Sequence, residues 1–178
     1  MRSDDGWYPA WFAGVTLDAV RTEPVGINKA VTTNLVAPMS LTRLALAFIG
    51  ASPAFSGEST GFVPSVVYTS SLSGLTPTPG MTMYSATKHG LVGLARSMPL
   101  TDEARFNVVC PSATDTGLLP DVVKGLWRGA GGKIQSAEDI ARISVHCVAG
   151  ASLDRRAVVI ACGESWEAEE ELDKVKSV

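Results

Sequence analysis

The sequence predicts an α/β fold: a parallel sheet covered by helices on both faces. Three observations carry this reading. Short β-branched runs, SVVYTS from Ser65, RFNVVC from Arg105 and RAVVIAC from Arg156, alternate with longer segments of helical periodicity. The runs are apolar throughout rather than on alternate residues, as strands buried on both faces are. Each run is followed by Ser, Pro or Gly, residues that end strands.

Residues 27–49, INKAVTTNLVAPMSLTRLALAFI, space their apolar side chains as one long helix, disturbed at Pro38. Residues 50–64, rich in Gly, Ser and Pro, are expected to form a loop. The first strand follows at 65–70. A second helix is expected over 83–98, MYSATKHGLVGLARSM, and a strand over RFNVVC, ending at Pro111. Ser136 has the character of an N-cap, with acidic residues in the first turn of AEDIARISVHCVA. RAVVIAC is the third strand, stopped by Gly163. Residues 164–178 read as an acidic, partly helical tail. Three strands are few for such a sheet. The whole of 1–178 is expected to be one partial domain, with 1–11 an atypical N-terminus.

Composition narrows the function. The chain has 178 residues, 46% hydrophobic and 19% charged, enough apolar side chain for a core rather than a disordered chain. Net charge is −3 and no basic cluster occurs, which argues against a nucleic-acid partner. Cys110, Cys147 and Cys162 are odd in number, with no CxxC spacing, and only two histidines accompany them. Neither a disulfide framework nor a metal site is expected, and the cysteines read as buried reduced thiols of a cytoplasmic protein. Residues 6–17 are apolar, but Asp4 and Asp5 precede them and Pro9 interrupts them, unlike a signal peptide. No unbroken apolar run approaches about 18 residues, so no membrane span is expected.

The chemistry begins with Tyr84 and Lys88. Four apart on a helix, they share a face. A tyrosine, with a reference pKa of about 10, is a poor base at neutral pH, and a nearby ammonium favours its phenolate. Such a pair suits reversible proton transfer to a carbonyl. A surface lysine lying along a core tyrosine would give the same spacing. Ser71 closes SVVYTSS thirteen residues before Tyr84, at the strand end where ligands of such sheets bind. A turn serine would look alike there, and Ser70 and Ser73 are close by. Asn34 stands four before Pro38. Proline has no N–H, so the Asn34 carbonyl loses its helical donor and can hold a water. Alternatively, Asn34 is a kink residue bonded within its own helix.

Together TTNLVAP, YTSSLSGL, YSATKHGLVGLARS and VVCPSATDTG resemble the short-chain dehydrogenase/reductase family over nearly all of residues 12–170. Similarity extends to the branch of 15-hydroxyprostaglandin dehydrogenase and its fungal relatives. The resemblance implies the C-terminal portion of a Rossmann-like doubly wound sheet, with the first βα units missing. It implies an NAD- or NADP-dependent oxidoreductase acting on a small apolar secondary alcohol or ketone. Tyr84 would be the acid/base, and Lys88 would assist it and bind the nicotinamide ribose. Ser71 would position the substrate oxygen, and Asn34 would hold a relay water. Pro111, Thr116 and Gly14 would lie against the cofactor. The resemblance also implies a homo-oligomer built through helices 27–49 and 83–98.

Departures are plain. The family's TGxxxGxG turn, which binds pyrophosphate, does not occur in the sequence. Phe12 stands where the family has the asparagine of an NAG motif ending in Gly14, and Ser112 stands where it has glycine. The competing expectation is therefore a catalytically silent, shortened chain that associates with intact homologues. A hydrolase using Ser71 is poorly supported, for Ser71 stands in no G-x-S-x-G elbow. Specificity is expected within the loop-rich stretch 117–135, where Leu118, Leu119 and Trp127 could form an apolar wall. The strand at 65–70 is expected to present an unpaired edge unless the N-terminal segment or a partner covers it.

Overall fold

The computed structural model describes residues 27–51, 63–78, 80–99 and 103–169. Its elements are α1 (Ile27–Val31), a π-helical turn (Thr32–Val36), α2 (Ala37–Ala51), β1 (Ser65–Thr69), a 3₁₀ turn (Leu72–Gly74), α3 (Thr82–Ser97) and β2 (Arg105–Pro111). There follow β3 (Thr114–Asp115), α4 (Asp121–Gly129), β4 (Gln135–Ser136), α5 (Ala137–Ala149), β5 (Ala157–Ala161) and β6 (Glu164–Glu167).

The main sheet has the order β1-β2-β5-β6. β1 and β5 both run parallel to β2, with Val67 opposite Asn107 and Val109 opposite Val158. Side chains alternate between two apolar layers, as a pleated strand dictates. Tyr68, Phe106, Val108, Cys110 and Val159 pack with Leu91, Val92 and Ala95 of α3 and with Leu46 and Ile49 of α2. Val67, Val109, Val158 and Ile160 pack on the other face with Ile140, Ile143 and Cys147 of α5. Helices therefore cover both faces, and the fold is Rossmann-like α/β. Asn107, fully buried between apolar neighbours, is satisfied: its Nδ2 donates to Leu153 O at 2.9 Å, and its Oδ1 accepts from Arg156 N–H at 3.1 Å.

The first long helix is disturbed one turn earlier than expected. The N–H of Ala37 bonds to Thr32 O, the wider i→i+5 spacing of a π turn, just before Pro38. Proline cannot donate to Asn34 O, and the widened turn takes up the misfit. By length and composition the 24-residue helix Asn28–Ala51 could cross a membrane, with mean hydropathy 1.4 over an 18-residue window. No unbroken apolar run marks it, because polar residues interrupt the stretch. The core helix of a soluble protein passes the same test when it is mostly buried, whereas 6% of this window is buried. Here one side of the helix is seated on the sheet layer, and its buried Thr42 hydroxyl bonds to the Tyr68 hydroxyl at 2.9 Å.

Three further expectations are corrected. The start of the acidic tail is a strand, not a helix: β6 pairs antiparallel with β5 through a two-residue turn. Cys162 and Gly163 have φ of 59° and 85°. Positive φ at both central residues is the hairpin geometry that matches strand twist. Cys162 is consequently exposed, whereas Cys110 and Cys147 are buried as expected. Burial pushes the Cys110 and Cys147 thiols up to about 12 and about 11. The stretch 117–135, expected to be loop-rich, contains the nine-residue helix α4. Among the described residues β1 has a strand on one side only. The AWFAG segment, residues 52–62 of the loop expected over 50–64 and residues 170–178 lie outside the described residues.

Candidate active site

Because β1, β2 and β5 are parallel, their C-terminal ends, Thr69, Pro111 and Ala161, share one edge. The two serines after β1 part there. Ser70 turns inward, 3% exposed, and its hydroxyl donates to Lys88 O at 2.8 Å. Ser71 Oγ accepts from Ser73 N–H at 3.1 Å and reaches Pro111 O at 3.4 Å. Ser71 therefore makes the expected turn bond and also stands at the edge between β1 and β2. Ser73 Oγ is taken by the Thr78 hydroxyl at 2.8 Å.

The 3₁₀ turn presses against α3 through Gly74. A Cβ there would lie 2.4 Å from Ser70 Oγ and 2.8 Å from Lys88 O, so only glycine fits. That contact sets the height of α3 against the strand ends. One turn of α3 brings Tyr84 and Lys88 together, with Lys88 Nζ 5.5 Å from the Tyr84 ring centroid. The ammonium also donates to Thr69 O at 2.8 Å. Burial holds the Lys88 ammonium below the usual lysine range, partly offset by Cys110.

Asn34 does not bond within its own helix. Its Nδ2 donates to Thr87 Oγ1 at 3.3 Å, and Thr87 donates onward to Tyr84 O at 2.8 Å. Thr87, 2% exposed, is a residue that the sequence reading missed. Its partner Asn34 is 53 residues away in sequence, so no local signal marks it. Close approach of the two helices also depends on Gly90, where a Cβ would stand 2.9 Å from Leu35 Cδ1.

Pro111 ends β2, and the 112–116 loop folds back onto β5. Ser112 N–H donates to Ile160 O at 2.9 Å. Gln135, also missed, donates from Nε2 to Ile160 O at 3.1 Å and to Thr114 Oγ1 at 3.3 Å, fixing that loop from behind. Thr116 is exposed, and its Oγ1 accepts from Leu118 N–H at 3.3 Å. Gly14 lies outside the described residues. Of the expected apolar wall, Leu118 is 88% exposed, while the Trp127 indole N–H is held by Lys133 O at 3.0 Å. No group of three or more metal-ligating side chains occurs among the described residues.

Comparison with known proteins places this geometry in a family. The sequence model described as short chain dehydrogenase matches residues 13–127. The short-chain dehydrogenase/reductase prx4 of Penicillium roqueforti is 40% identical over 85 residues, 46% of this chain and 26% of that protein. Human 15-hydroxyprostaglandin dehydrogenase [NAD(+)] is 33% identical over 102 residues, 54% of this chain and 36% of that protein. The matched stretches thus span about a quarter to a third of these relatives' length. Among solved structures, 4-hydroxyisoleucine dehydrogenase complexed with NADH superposes with TM-score 0.59 at 23% identity, covering 79% of this chain and 60% of that one. ElxO with NADP bound gives 0.60 at 18% identity, covering 79% and 58%. At these identities the likeness is one of fold.

Proposed function

The chain belongs to the short-chain dehydrogenase family, a family of oxidoreductases, and we propose that its site interconverts a secondary alcohol and a ketone with NAD or NADP. The observation that carries this reading is Lys88. Its partly desolvated ammonium lies between the Tyr84 ring and the C-terminal end of β1.

In this reading Tyr84 gives its hydroxyl proton to a substrate carbonyl oxygen, or takes one from an alcohol. Lys88 presents its charge to the ring that becomes anionic. Ser71 exchanges its long 3.4 Å contact with Pro111 O for a shorter bond to the substrate oxygen. The Asn34–Thr87 link holds the π turn and α3 in fixed relation. A nicotinamide cofactor fits this donor set. Lys88 has three N–H donors, of which Thr69 O takes one, leaving two for ribose hydroxyls. Pro111 and Thr116 border the edge where the ring would lie. When bound, such a cofactor supplies the hydride acceptor or donor. The two neighbouring structures carry one each, NADH and NADP, and so do not decide between the cofactors.

The test uses the longest natural form of the protein carrying this site, with NAD and NADP and a panel of apolar secondary alcohols. Tyr84→Phe should lower turnover about 10²–10⁴-fold, while nucleotide binding followed by NADH fluorescence stays near wild type. Near-wild-type turnover in that variant overturns the reading.

A second reading concerns the 178 residues by themselves, among which no TGxxxGxG turn occurs. Without a pyrophosphate site the chain would hold only the ribose end, and would act by associating with copies of itself or with intact homologues. Leu41 and Leu44 of α2, both about two-thirds exposed, and the small exposed residues Ala86 and Gly93 of α3 offer an apolar face for that contact. A soluble, cytoplasmic, membrane-free oligomer is part of this proposal. Size-exclusion chromatography with NADH titration separates the readings. Micromolar NADH binding by a clean monomer removes the second.

A further inference from the structure

Ser71 follows β1 and Tyr84 lies in the first turn of α3, and one connection, residues 72–81, sets where each stands relative to the other. The first half of that connection closes on itself. Ser71 is the N-cap of the 3₁₀ turn, and the N–H of Ser73, an orphan donor of the turn's start, donates to Ser71 Oγ at 3.1 Å. Leu72 O accepts from Leu75 N–H, from Thr76 N–H and from the Thr76 hydroxyl, each at 3.0 Å.

The second half is fastened through Thr78. Its hydroxyl donates to Ser73 Oγ at 2.8 Å, and its carbonyl accepts from Met81 N–H at 3.1 Å. Met81 is the N-cap residue of α3, and its carbonyl takes the N–H of Ser85, the residue after Tyr84, at 2.7 Å. A run of bonds therefore leads from Ser71 through Ser73 and Thr78 to the turn of helix that carries Tyr84. Neither Ser73 nor Thr78 has a part in the chemistry proposed above.

The direction of each bond matters. Ser73 N–H occupies one acceptor position of Ser71 Oγ, so the Ser71 proton points away from it, toward Pro111 O at 3.4 Å. A hydroxyl that already accepts a bond is a stronger donor. One whose own donated bond is long exchanges it for a shorter one at little cost. Ser71 is thus prepared to donate to a substrate oxygen for as long as the Ser73 N–H stays in place, and the Thr78 hydroxyl is what ties Ser73 across the loop.

We infer that Ser73 and Thr78 are positioning residues for the site serine, an inference that rests on the oxidoreductase reading above. The Thr78 hydroxyl holds Ser73, the Ser73 N–H aims the Ser71 hydroxyl, and the Thr78 carbonyl keeps that turn in step with the helix of Tyr84. Neither residue touches substrate or cofactor. The substrate oxygen meets two donors, Ser71 and Tyr84, whose separation is set by one fastened connection.

The test uses the longest natural form of the protein carrying this site. Thr78→Val keeps the branched shape and loses the hydroxyl. It should lower kcat/KM for an apolar secondary alcohol about three- to tenfold, the effect of one lost hydrogen bond, with nucleotide affinity by NADH fluorescence unchanged. Ser73→Ala, which removes the acceptor instead, should behave alike, and Thr78→Ser should recover the rate. Thr76→Val is the control in the same loop: its backbone N–H still reaches Leu72 O, and its rate should match wild type. In a Ser71→Ala background Thr78→Val should change the remaining rate by no more than about twofold. Amide exchange reads the geometry without turnover, and the amides of residues 72–76 should exchange faster in Thr78→Val than in wild type or Thr78→Ser. Unchanged exchange, or a rate loss that persists in full when Ser71 is alanine, overturns this inference and leaves the oxidoreductase reading standing. A wild type without turnover, or Tyr84→Phe as fast as wild type, overturns that reading and this inference with it.

Discussion

The side-chain amide of Asn34 donates to the hydroxyl of Thr87 at 3.3 Å, and so ties the π turn before Pro38 to the helix that carries Tyr84 and Lys88. The two residues are 53 apart in sequence. Thr87 is buried, and it passes the chain of hydrogen bonds on to Tyr84 O. The widened helical turn is therefore a docking point, joined side chain to side chain with the helix it faces.

Thr87→Val keeps the shape of the side chain but removes both bonds. It leaves Asn34 Nδ2 facing a methyl group. A loss of about 1–2 kcal/mol is expected, as for breaking a partly buried hydrogen bond. For a chain of this size that lowers the melting temperature by roughly 2–8 °C. Thr87→Ser should recover most of the loss. Circular-dichroism melts of the three proteins decide it, and equal midpoints for Thr87→Val and wild type would show the link to be idle.

Gly74→Ala tests the seating of the 3₁₀ turn. The added methyl would meet Ser70 Oγ at 2.4 Å and the backbone of Lys88 at 2.8 Å. Ser70 could rotate, but the Lys88 carbonyl cannot move without shifting α3. Overpacking of this kind costs about 1–3 kcal/mol. Gly93→Ala, on the same region of helix but with open space at its Cβ, is the control and should be neutral or slightly stabilising. Similar urea midpoints for the two variants would contradict the contact.

Much of this arrangement was legible in the sequence, for reasons that individual residues make plain. The strands at Ser65, Arg105 and Ala157 announced themselves because central parallel strands are apolar on both faces, as Val108 and Val109 are. Tyr84 and Lys88 could be placed together because helical spacing is a local rule. β6 was missed because its signal is not local. Glu164 and Glu167 favour a helix or tail by composition, and the turn before them puts a cysteine, not asparagine or aspartate, at positive φ. Pairing with β5 and the packing of Trp166 on the core override that preference. Thr87 and Gln135 were invisible for a related reason: their partners, Asn34 and Ile160, are distant in sequence.

The N-terminus of α5 predicts a pH dependence. Ser136 Oγ accepts from Asp139 N–H at 3.1 Å, and the Asp139 carboxylate returns a bond to Ser136 N–H, closing a capping box. The Ser136 hydroxyl, then its N–H, hold the Asp139 carboxyl below the usual aspartate range. A depressed folded pKa means that the unfolded chain binds more protons in the window below about pH 4. The stabilisation is therefore full above the unfolded aspartate pKa and is lost as pH falls through the folded value. Ser136→Ala should lower the melting temperature at pH 7, and the gap to wild type should narrow below pH 4. A gap that stays constant from pH 7 to pH 3 would assign the effect of Ser136 to something other than this carboxylate.

Glu169 should anchor the chain after β6 to the sheet. Its Oε1 lies 2.7 Å from Arg96 Nε, and its Oε2 accepts from Ala157 N–H, the first residue of β5, at 2.9 Å. One carboxylate thus joins α3, β5 and the segment following β6. The glutamate side chain is 13% exposed and that of Arg96 30%, so water screens the pair only in part. Glu169→Gln keeps the length of the side chain but halves its acceptors and removes the charge. One of the two donors, Arg96 Nε or Ala157 N–H, then loses its partner. A loss of about 1–3 kcal/mol is expected, the cost of leaving a largely buried donor unpaired. Arg96→Gln should cost less, since the carboxylate keeps its bond to Ala157. The double variant should then be less destabilised than the sum of the singles, with a coupling of about 0.5–2 kcal/mol. Chemical denaturation of the four proteins measures that coupling directly. Strict additivity would mean that Arg96 and Glu169 act independently and that the anchor is the Ala157 bond alone.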